Sequence, residues 1–489
     1  MSAPLVDAWA AAVETHTAAL FFAGERVLKV KKPVSLGFLD FSTREARRAA
    51  CAEEVRLNRR LSPDVYLGVS DIVVDGKTVE HGVLMRRLPF DRSLSALVAR
   101  DTPTLADDII RLARRLAAFH GQAPVVGRDL DLGIWTHPGQ MWRDNVAQAR
   151  ALSPAELSTE DLDAAEFLAE RFVDGRGALF RDRLAAGLVR DGHGDLLADD
   201  VFLLPDEPRI LDCLEFDERL RVTDVLLDVA SLTMDLERLG RPDLGRLLLD
   251  KYSAEAGETH PSTLEHFYIA HRALVRAKVA SIRAKQMGVT SRVPRDLLAM
   301  CIRHLQGAQV RLVVVGGLPG AGKSTLSALL SGRLPATVVS SDAVRWELAP
   351  EGGAAAYGKG RYSPAVTNRV YDEMLKRAAS KLAHGEHVVL DATFATEARR
   401  TAARKLAQQH AADLTEIQVV VEDATAEQRL EARGAEVGGS EAGVDVRRRM
   451  HSQFAPWPEA AVVDTGAEGA EGVVGAVAAA CGASRSWPE

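Results

Sequence analysis

Cysteine is scarce in this chain, and its few copies are widely separated. The 489 residues contain four cysteines, with no CxxC pair and no histidine beside them at the spacing of a zinc site. A disulfide framework or a structural zinc site needs grouped ligands, so this spacing disfavours both. The sequence therefore predicts reduced core thiols and a cytoplasmic protein; the cysteines are Cys51, Cys213, Cys301 and Cys481.

Aromatic residues and an excess of positive charge are also lacking. Phe, Trp and Tyr together make up 5% of the residues, and the net charge is −7. A groove for single-stranded nucleic acid interleaves aromatic and basic side chains, so nucleic acid is an open but disfavoured partner. No run of about 18 apolar residues is present to span a bilayer, and the first 20 residues lack the pattern of a signal peptide. We expect no membrane partner.

The hydrophobic pattern changes character near residue 305. Before it, short β-type runs give way to long helical segments with apolar residues recurring every three or four positions. After it, short apolar runs alternate with helical stretches, which is typical of βαβ units around a parallel sheet. We expect two domains. Residues 1–305 form an α+β domain with a small β-rich lobe and a helical lobe, and residues 306–489 form an α/β domain.

The clearest motif lies in RLVVVGGLPGAGKSTLSALL. Gly317, four further residues and then Gly322-Lys323-Ser324 follow an apolar run and open a helical one, the context of a Walker A phosphate loop. Backbone N–H groups of such a loop surround phosphate oxygens, the lysine reaches the β- and γ-phosphates, and the serine ligates Mg²⁺. The motif predicts a site for ATP and Mg²⁺ formed by Gly317, Gly320, Gly322, Lys323, Ser324 and Thr325.

Two acidic positions follow later strands of the same domain. Asp342 and Arg345 come after ATVVSS, where a carboxylate could accept the proton of an acceptor hydroxyl and an arginine could hold an anionic group. An N-capping aspartate beside a surface arginine is the plainer alternative. Asp391 ends EHVVLD, as a Walker B acid would, and is expected to support Mg²⁺.

A third region, QRLEARGAEVGGSEAGVDVRRRM, is basic and rich in glycine. Arg429 and Arg433 precede the glycines, which suits a lid that closes an arginine over the transferred phosphoryl group. The alternative is a solvated basic helix end. The later arginines at residues 447–449 could also contact phosphate, but a solvated face is the favoured interpretation.

Taken together, the motifs GGLPGAGKST, SSDAVRWEL, VVLDATF and RLEAR resemble the small P-loop kinases of a family that includes polynucleotide 5′-hydroxyl kinases, gluconate kinases and zeta toxins. The likeness covers nearly all of residues 310–455. It implies that Asp342 is the general base for the acceptor hydroxyl and that Arg433 is a lid arginine.

The first domain contains a second set of candidate residues in DGHGDLLADD. His193-Gly194-Asp195 has the form of a kinase catalytic loop, and Lys29 in RVLKVKK has the form of the kinase lysine that contacts the α- and β-phosphates. Lys31 and Lys32 compete with Lys29 for this role. A helical carboxylate, Glu54 or its neighbour Glu53, would hold the lysine, and Glu54 shares its helical face with apolar residues.

An apolar run then places Asp212 where kinases have a metal-binding aspartate. With ETHT, MRRLP, HGD, DCLEFD and HRALVRAKV, these residues resemble the aminoglycoside phosphotransferase-like family, which has a kinase-like fold and in one branch carries a P-loop domain behind it. The resemblance implies that Asp195 is the catalytic base and that Asp212 and residue 200 hold Mg²⁺. Residue 200 is Asp200 instead of asparagine, and no glycine-rich loop precedes Lys29.

Three basic residues lie at helical spacing near the end of the first domain: Arg272, Arg276 and Lys278. One interpretation puts them in an anionic or polar acceptor groove. The other, slightly favoured, is a basic outer face.

Three functions fit these patterns. The favoured one is an ATP-dependent kinase acting on a hydroxyl of a sugar, an aminoglycoside or a nucleoside-like compound. The second is a 5′-hydroxyl polynucleotide kinase that uses Asp342 and Arg345. The third is a P-loop kinase gated by a non-catalytic, ligand-binding first domain.

Overall fold

Two compact units divide the chain. The computed structural model describes residues 11–14, 17–35, 40–125, 138–152, 156–349, 360–433 and 444–466. The first unit comprises Met1–Glu166, Arg181–His260 and Glu265–His304, and the second comprises Phe167–Phe180, Pro261–Leu264 and Leu305–Glu489. The main division falls after His304. Two short earlier segments also belong to the second unit, which the sequence pattern did not predict.

The first unit begins with a five-stranded antiparallel sheet of order β1-β2-β3-β5-β4. Helix α1 follows β3, and Thr43 caps it by accepting a hydrogen bond from the Ala46 N–H at 3.1 Å. Cys51 and Val55 of this helix pack against Val27 and Val83 of the sheet. The elements are β1 (Ala11–Glu14), β2 (Ala18–Ala23), β3 (Arg26–Lys31), α1 (Arg44–Asn58), β4 (Tyr66–Val74) and β5 (Lys77–Arg86).

The sequence after β5 is mainly helical. In α3 the apolar residues recur every three or four positions and form its buried face, while α7 is buried at every position from Val225 to Leu236. The helices are α2 (Leu94–Ala99), α3 (Leu105–Gln122), α4 (Pro138–Arg150), α5 (Thr159–Gly175), α6 (Gly177–Ala185), α7 (Val225–Arg238), α8 (Pro242–Ala256), α9 (Ser262–Met287) and α10 (Val293–Gly307). None of the helices in the described ranges combines the length and apolar character needed to cross a membrane.

Two small antiparallel pairs of strands lie between α6 and α7. Strand β6 pairs with β9, and β7 pairs with β8 to form a short ribbon. Residues 192–200 connect β6 to β7, and Asp212 follows β8, so the ribbon brings both candidate loops to one end. The strands are β6 (Val189–Asp191), β7 (Val201–Leu203), β8 (Pro208–Ile210) and β9 (Val222–Asp224).

The second unit contains a parallel five-stranded sheet of order β11-β12-β10-β13-β14. Its central strand β10 is buried at every position, with Leu312 and Val314 in one apolar core and Val313 and Val315 in another. The strands are β10 (Arg311–Gly316), β11 (Ala336–Ser340), β12 (His387–Asp391), β13 (Asp413–Val420) and β14 (Ala461–Asp464).

Helices cover both faces of this sheet. They are α11 (Lys323–Arg333), α12 (Ser341–Leu348), α13 (Pro364–Ala383), α14 (Glu397–Gln409), α15 (Asp423–Arg433) and α16 (Val444–His451). The predicted fold classes are confirmed: a β-rich lobe and a helical part precede an α/β domain with a parallel sheet. Parallel sheets bind ligands at the carboxyl ends of their strands, and three of the predicted site segments follow β10, β11 and β12.

Candidate active sites

Lys29 and Glu54 form an ion pair inside the first unit. Lys29 Nζ lies 2.9 Å from Glu54 Oε1 and also contacts Asp212 Oδ1. Burial lowers the pKa of Lys29, but the carboxylates of Asp212 and Glu54 raise it by more, so it lies well above its ordinary value. The lysine is therefore charged and held between the helix and the residue that follows β8.

Lys31 shares Glu54 with Lys29. Residues two apart on a strand face the same side, so both lysines reach α1. Lys31 Nζ lies 2.8 Å from Glu54 Oε2 and also contacts Glu215, a buried carboxylate that the sequence analysis did not identify. Lys32 lies outside this network, because it pairs with the exposed carboxylate of Glu14.

Glu53, the neighbour of Glu54, is likewise occupied outside this network. Its Oε2 accepts a hydrogen bond from Arg56 Nε at 2.7 Å on the exposed side of α1. The structure therefore places Glu54, and not Glu53, beside the lysines.

Asp195 lies in the loop after β6 and faces α9. Its Oδ2 is 3.2 Å from Arg276 Nη1, while its Oδ1 is buried and has no hydrogen-bond partner among the residues that the structure describes. The preceding His193 is buried, and its Nε2 lies 2.9 Å from the Leu211 carbonyl. The unpartnered oxygen of Asp195 is a ready acceptor for the proton of a hydroxyl group.

Asp228 of α7 holds this loop in place. The fully buried carboxylate accepts hydrogen bonds from the His193 N–H at 2.5 Å and the Gly194 N–H at 2.9 Å, and His120 Nε2 lies at 3.3 Å. At Gly192 a Cβ atom would lie 2.2 Å from Asp228 Oδ2, so the close approach requires glycine. Asp228 was not predicted as a site residue from the sequence. Its position as a lone carboxylate in the apolar run VLLDVASL does indicate a buried side chain that needs a hydrogen-bond or ionic partner.

Asp200 and Asp212 lie at the same open end of the β7-β8 ribbon, Asp200 just before β7 and Asp212 just after β8. The Leu211 N–H donates to the Asp200 carbonyl at 2.9 Å, which keeps these two strand ends together. The pKa of Asp200 lies well above its ordinary value. Burial is the largest cause, and the negative charges of Asp212 and Asp195 raise the pKa further. Carboxylates that repel each other in this way are suited to share a cation.

These two carboxylates fit Mg²⁺ as a partial ligand set. Within the described residues, no group of three or more His, Cys, Asp or Glu side chains is arranged to hold a metal ion. Mg²⁺ in phosphoryl-transfer sites commonly takes one or two carboxylates, with phosphates and water completing the octahedron. Asp200 and Asp212 supply hard oxygen ligands for this arrangement.

The phosphate loop of the second unit joins β10 to α11 and requires glycine at two close approaches. Gly317 has φ +144°, and a Cβ atom there would lie 2.3 Å from the Val419 carbonyl oxygen. Gly320 has φ +79°, and its Cβ would lie 2.8 Å from the Ala426 carbonyl oxygen. Side chains at these positions would push the loop away from β13 and α15, so the glycines fix its path.

Helix α11 starts at Lys323, directly after the loop. Lys323 Nζ donates to the Leu318 carbonyl at 3.2 Å and so lies across the loop. Ser324 and Thr325 are exposed in the first turn, where helix N–H groups point outward. A triphosphate fits this loop because the predicted residues meet at the amino end of one helix.

Two arginines and a threonine fix the carbonyl groups of the phosphate loop. Arg447 is 4% exposed, and its Nη1 donates to the Pro319 carbonyl at 2.7 Å. Thr465 donates to the Ala321 carbonyl at 2.7 Å and accepts from Arg429 Nη1 at 2.9 Å. The solvated-face interpretation was wrong for Arg447, and Arg429 acts on the loop through Thr465.

Replacing Arg447 by alanine is expected to weaken nucleotide binding at the phosphate loop about tenfold, since a charge-assisted hydrogen bond contributes roughly 1.5–3 kcal/mol. The measurement is the dissociation constant of a fluorescent ATP analogue for the full chain carrying Lys29→Met, which silences the other site. Arg449→Ala, an exposed position on α16, is the matched control. Equal affinity of both variants would show that Arg447 does not shape the loop.

The remaining predicted residues lie at the carboxyl ends of β11 and β12. Asp342 is in the first turn of α12, and its N–H donates to Ser340 Oγ. Asp391 is buried in register between Val315 of β10 and Ser340 of β11. Both therefore lie at the carboxyl ends of the strands, on the side of the sheet where the phosphate loop follows β10.

Arg345 is engaged within the protein. It is buried, its Nη1 donates to the Arg361 carbonyl at 3.0 Å, and its guanidinium lies 4.8 Å from the centre of the Tyr362 ring. These contacts support packing of residues 360–367 more directly than binding of an acceptor. Arg433 ends α15, but its side chain and residues 434–443 lie outside the described residues, so the lid prediction stays a prediction.

Comparison with curated proteins places the chain among known relatives. It is 38% identical over 460 residues to the uncharacterized protein Rv2004c of Mycobacterium tuberculosis, with 92% of this chain and 91% of that protein aligned. The uncharacterized protein Mb2027c of Mycobacterium bovis has the same identity and coverage. The chain belongs to this family. The alignment covers nearly the whole chain and therefore extends across both units.

Within this family architecture, the second unit has a recognised domain. The family described as AAA domain matches residues 312–457, which contain the phosphate loop. A choline/ethanolamine kinase family protein from Mesorhizobium loti is 17% identical, covers 62% of this chain and 91% of its own, and has a TM-score of 0.40. The APS kinase CysC of Mycobacterium tuberculosis is 20% identical, with coverages of 35% and 96% and a TM-score of 0.26. The predicted P-loop domain at the carboxyl end of the chain is confirmed over residues 312–457.

Proposed function

We propose that this protein is an ATP-dependent phosphotransferase that moves the γ-phosphoryl group of ATP to a hydroxyl group of a small molecule. The observation that carries the proposal is the double contact of Lys29 with Glu54 and Asp212. Kinases need this lysine–glutamate pair and the metal-binding aspartate together before transfer occurs. A module that only binds a ligand has no need of both.

In the first unit, Asp195 acts as the general base. Its unpartnered Oδ1 accepts the proton as the acceptor oxygen attacks the γ-phosphorus, the new P–O bond forms, and the bond to the β,γ-bridging oxygen breaks to release ADP. Lys29 holds the α- and β-phosphates. Mg²⁺, bound by Asp200 and Asp212, would neutralise the phosphate oxygens. Asp200 can replace the usual asparagine because both residues offer Mg²⁺ an oxygen ligand.

In the second unit, the phosphate loop binds a second triphosphate. Lys323 would hold the phosphates, Ser324 and Asp391 would hold Mg²⁺, and Asp342 would accept the proton of the acceptor. A polynucleotide kinase needs Arg345 at the acceptor, but the contacts of Arg345 with residues 361–367 leave that function without a specific observation.

A phosphoryl-transfer screen on the full chain tests the proposal. Labelled ATP is offered with sugars, nucleosides, aminoglycosides and a 5′-hydroxyl oligonucleotide to the wild type, Asp195→Asn and Lys323→Ala. We expect transfer to a small hydroxyl compound that at least one variant loses. Failure of the wild-type chain to bind Mg-ATP, or transfer only to the oligonucleotide, would contradict the proposal.

A further inference from the structure

Two arginines of α9 face the catalytic loop of the first unit. Arg272 and Arg276 are one helical turn apart and so lie on the same face of the helix. Arg276 contacts Asp195 at 3.2 Å, and both side chains are about one-third exposed, at 30% and 32%. The expectation of a basic outer face was wrong for both arginines, because this face of α9 meets the catalytic loop.

Arg272 is buried behind this pair, with only 5% of its surface exposed. Within the described part of the chain its Nε and Nη2 have no hydrogen-bond partner, and Asp228 Oδ1 is 3.8 Å from Nη2. The pKa of Arg272 is lowered, mainly by burial. The carboxylates of Asp195 and Asp228 raise this pKa, and the positive charge of Arg276 lowers it further. A buried guanidinium with unused donors is costly unless a ligand supplies acceptors.

The charges around this loop are unevenly divided. Asp228 already accepts two backbone N–H bonds and lies beside His120, so its charge is shared among several donors. Asp195 and Asp228 therefore face two guanidinium groups, Asp195 at 3.2 Å from Arg276 and Asp228 at 3.8 Å from Arg272. On the nucleotide side, by contrast, Asp200 and Asp212 are set for Mg²⁺. An acceptor that approaches Asp195 from α9 therefore meets two guanidinium groups, one of them with unused donors.

We propose that Arg272 and Arg276 bind an anionic group, a phosphate monoester or a carboxylate, on the acceptor whose hydroxyl reaches Asp195. The inference rests on the proposed kinase function of the first unit and specifies its substrate class. Guanidinium groups match both oxyanions in geometry and charge. The same guanidinium groups disfavour cationic acceptors such as choline and aminoglycosides, since like charges across a binding site lower affinity.

Small acceptors that differ mainly in charge provide the test: glycerol, glycerate, glycerol 3-phosphate and choline. Each is offered to the full chain carrying Lys323→Ala, which silences the phosphate loop, and its binding in the presence of Mg²⁺ and a non-hydrolysable ATP analogue is measured by calorimetry, alongside transfer from ATP. We expect at least one of the two anions to bind more tightly than glycerol and choline, and the arms with glycerate and glycerol 3-phosphate distinguish the two anionic groups.

The arginine variants assign the preference to the proposed residues. Arg276→Ala should weaken binding of the anion about tenfold or more, and by a much larger factor than it weakens binding of glycerol, because a charged hydrogen bond is lost. Arg283→Ala, an exposed arginine on the same helix, is the matched control. Arg272→Lys, which keeps the buried charge but not the forked donors, should weaken the same anion without unfolding the chain.

The outcomes separate this inference from the proposed function. Equal binding of anionic, neutral and cationic compounds, or a preference that Arg276→Ala leaves intact, overturns the inference. A chain with Lys323→Ala that binds no ATP analogue, or binds it equally with Lys29→Met added, instead overturns the kinase function of the first unit.

Discussion

Replacement of Asp195 by asparagine should lower phosphoryl transfer at the first unit by about 10²–10⁴-fold, the range that general bases contribute. The asparagine keeps the size of the side chain but cannot accept the proton on Oδ1. Binding of ATP should persist, because the lysine that holds its phosphates is fixed by Glu54 and Asp212. Single-turnover transfer and ATP affinity, both measured on the full chain with Lys323→Ala, check the two expectations.

The neighbouring Asp199 offers a control for this experiment. It is exposed in the same loop, so Asp199→Asn removes one negative charge nearby without touching the proposed base. Its transfer rate should stay close to that of the parent chain. If Asp195→Asn and Asp199→Asn behave alike, the proton of the acceptor goes elsewhere and the role of Asp195 is refuted.

Replacement of Asp228 by alanine should lower the free energy of unfolding of the first unit by about 3–5 kcal/mol, as breaking a buried charged network does. The change leaves the N–H groups of His193 and Gly194 buried without acceptors and removes the carboxylate beside His120 Nε2. Each unsatisfied buried group adds roughly 1–3 kcal/mol of cost. Peptide-resolved hydrogen exchange over α7 and residues 189–195 measures the loss within one unit.

Asp250→Ala is the control for this second variant. Asp250 is exposed on α8 and lies 3.6 Å from Arg246, and an exposed ion pair of this kind contributes at most about 1 kcal/mol. An effect of Asp228→Ala as small as that of the control would show that other contacts hold the catalytic loop.

The phosphate loop is the part of the molecule that the sequence predicts best. An apolar strand, glycines at fixed spacing and a helix start leave little freedom, because Gly317 and Gly320 fill positions where a side chain would strike the Val419 and Ala426 carbonyl groups. The conformation of such a loop is therefore determined by residues that are close together in the sequence. The parallel sheet follows from the same alternation of strands and helices.

The choice between Lys29 and Lys31 could not be predicted from the local sequence pattern. Both lysines lie on one face of β3, and both reach Glu54, so no property of the strand separates them. Only the residues after β8 do so: Asp212 contacts Lys29, and Glu215 contacts Lys31. Those contacts join residues more than 180 positions apart and are set by the tertiary fold.

Arg272 was misjudged for a similar reason. Basic residues at helical spacing usually form a solvated face, and nothing in HRALVRAKV indicates which face of the helix is covered. Its burial depends on the catalytic loop and α7, which are distant in sequence. A sequence pattern shows which residues share one face of a helix, but it does not show which element packs against that face.

The segments Phe167–Phe180 and Pro261–Leu264 affect the order in which the two units can fold during synthesis and whether the units can be separated by cutting the gene. The backbone passes from one unit to the other five times, so neither unit is one continuous stretch. Arg171 and Arg176 are synthesised early, yet their partners, the Asp413 carboxylate at 2.7 Å and the His410 carbonyl at 2.7 Å, come more than 230 residues later. The second unit can therefore be completed only when almost the whole chain has left the ribosome. A gene cut at residue 305 would not yield two exchangeable modules, because the downstream fragment would lack both arginines.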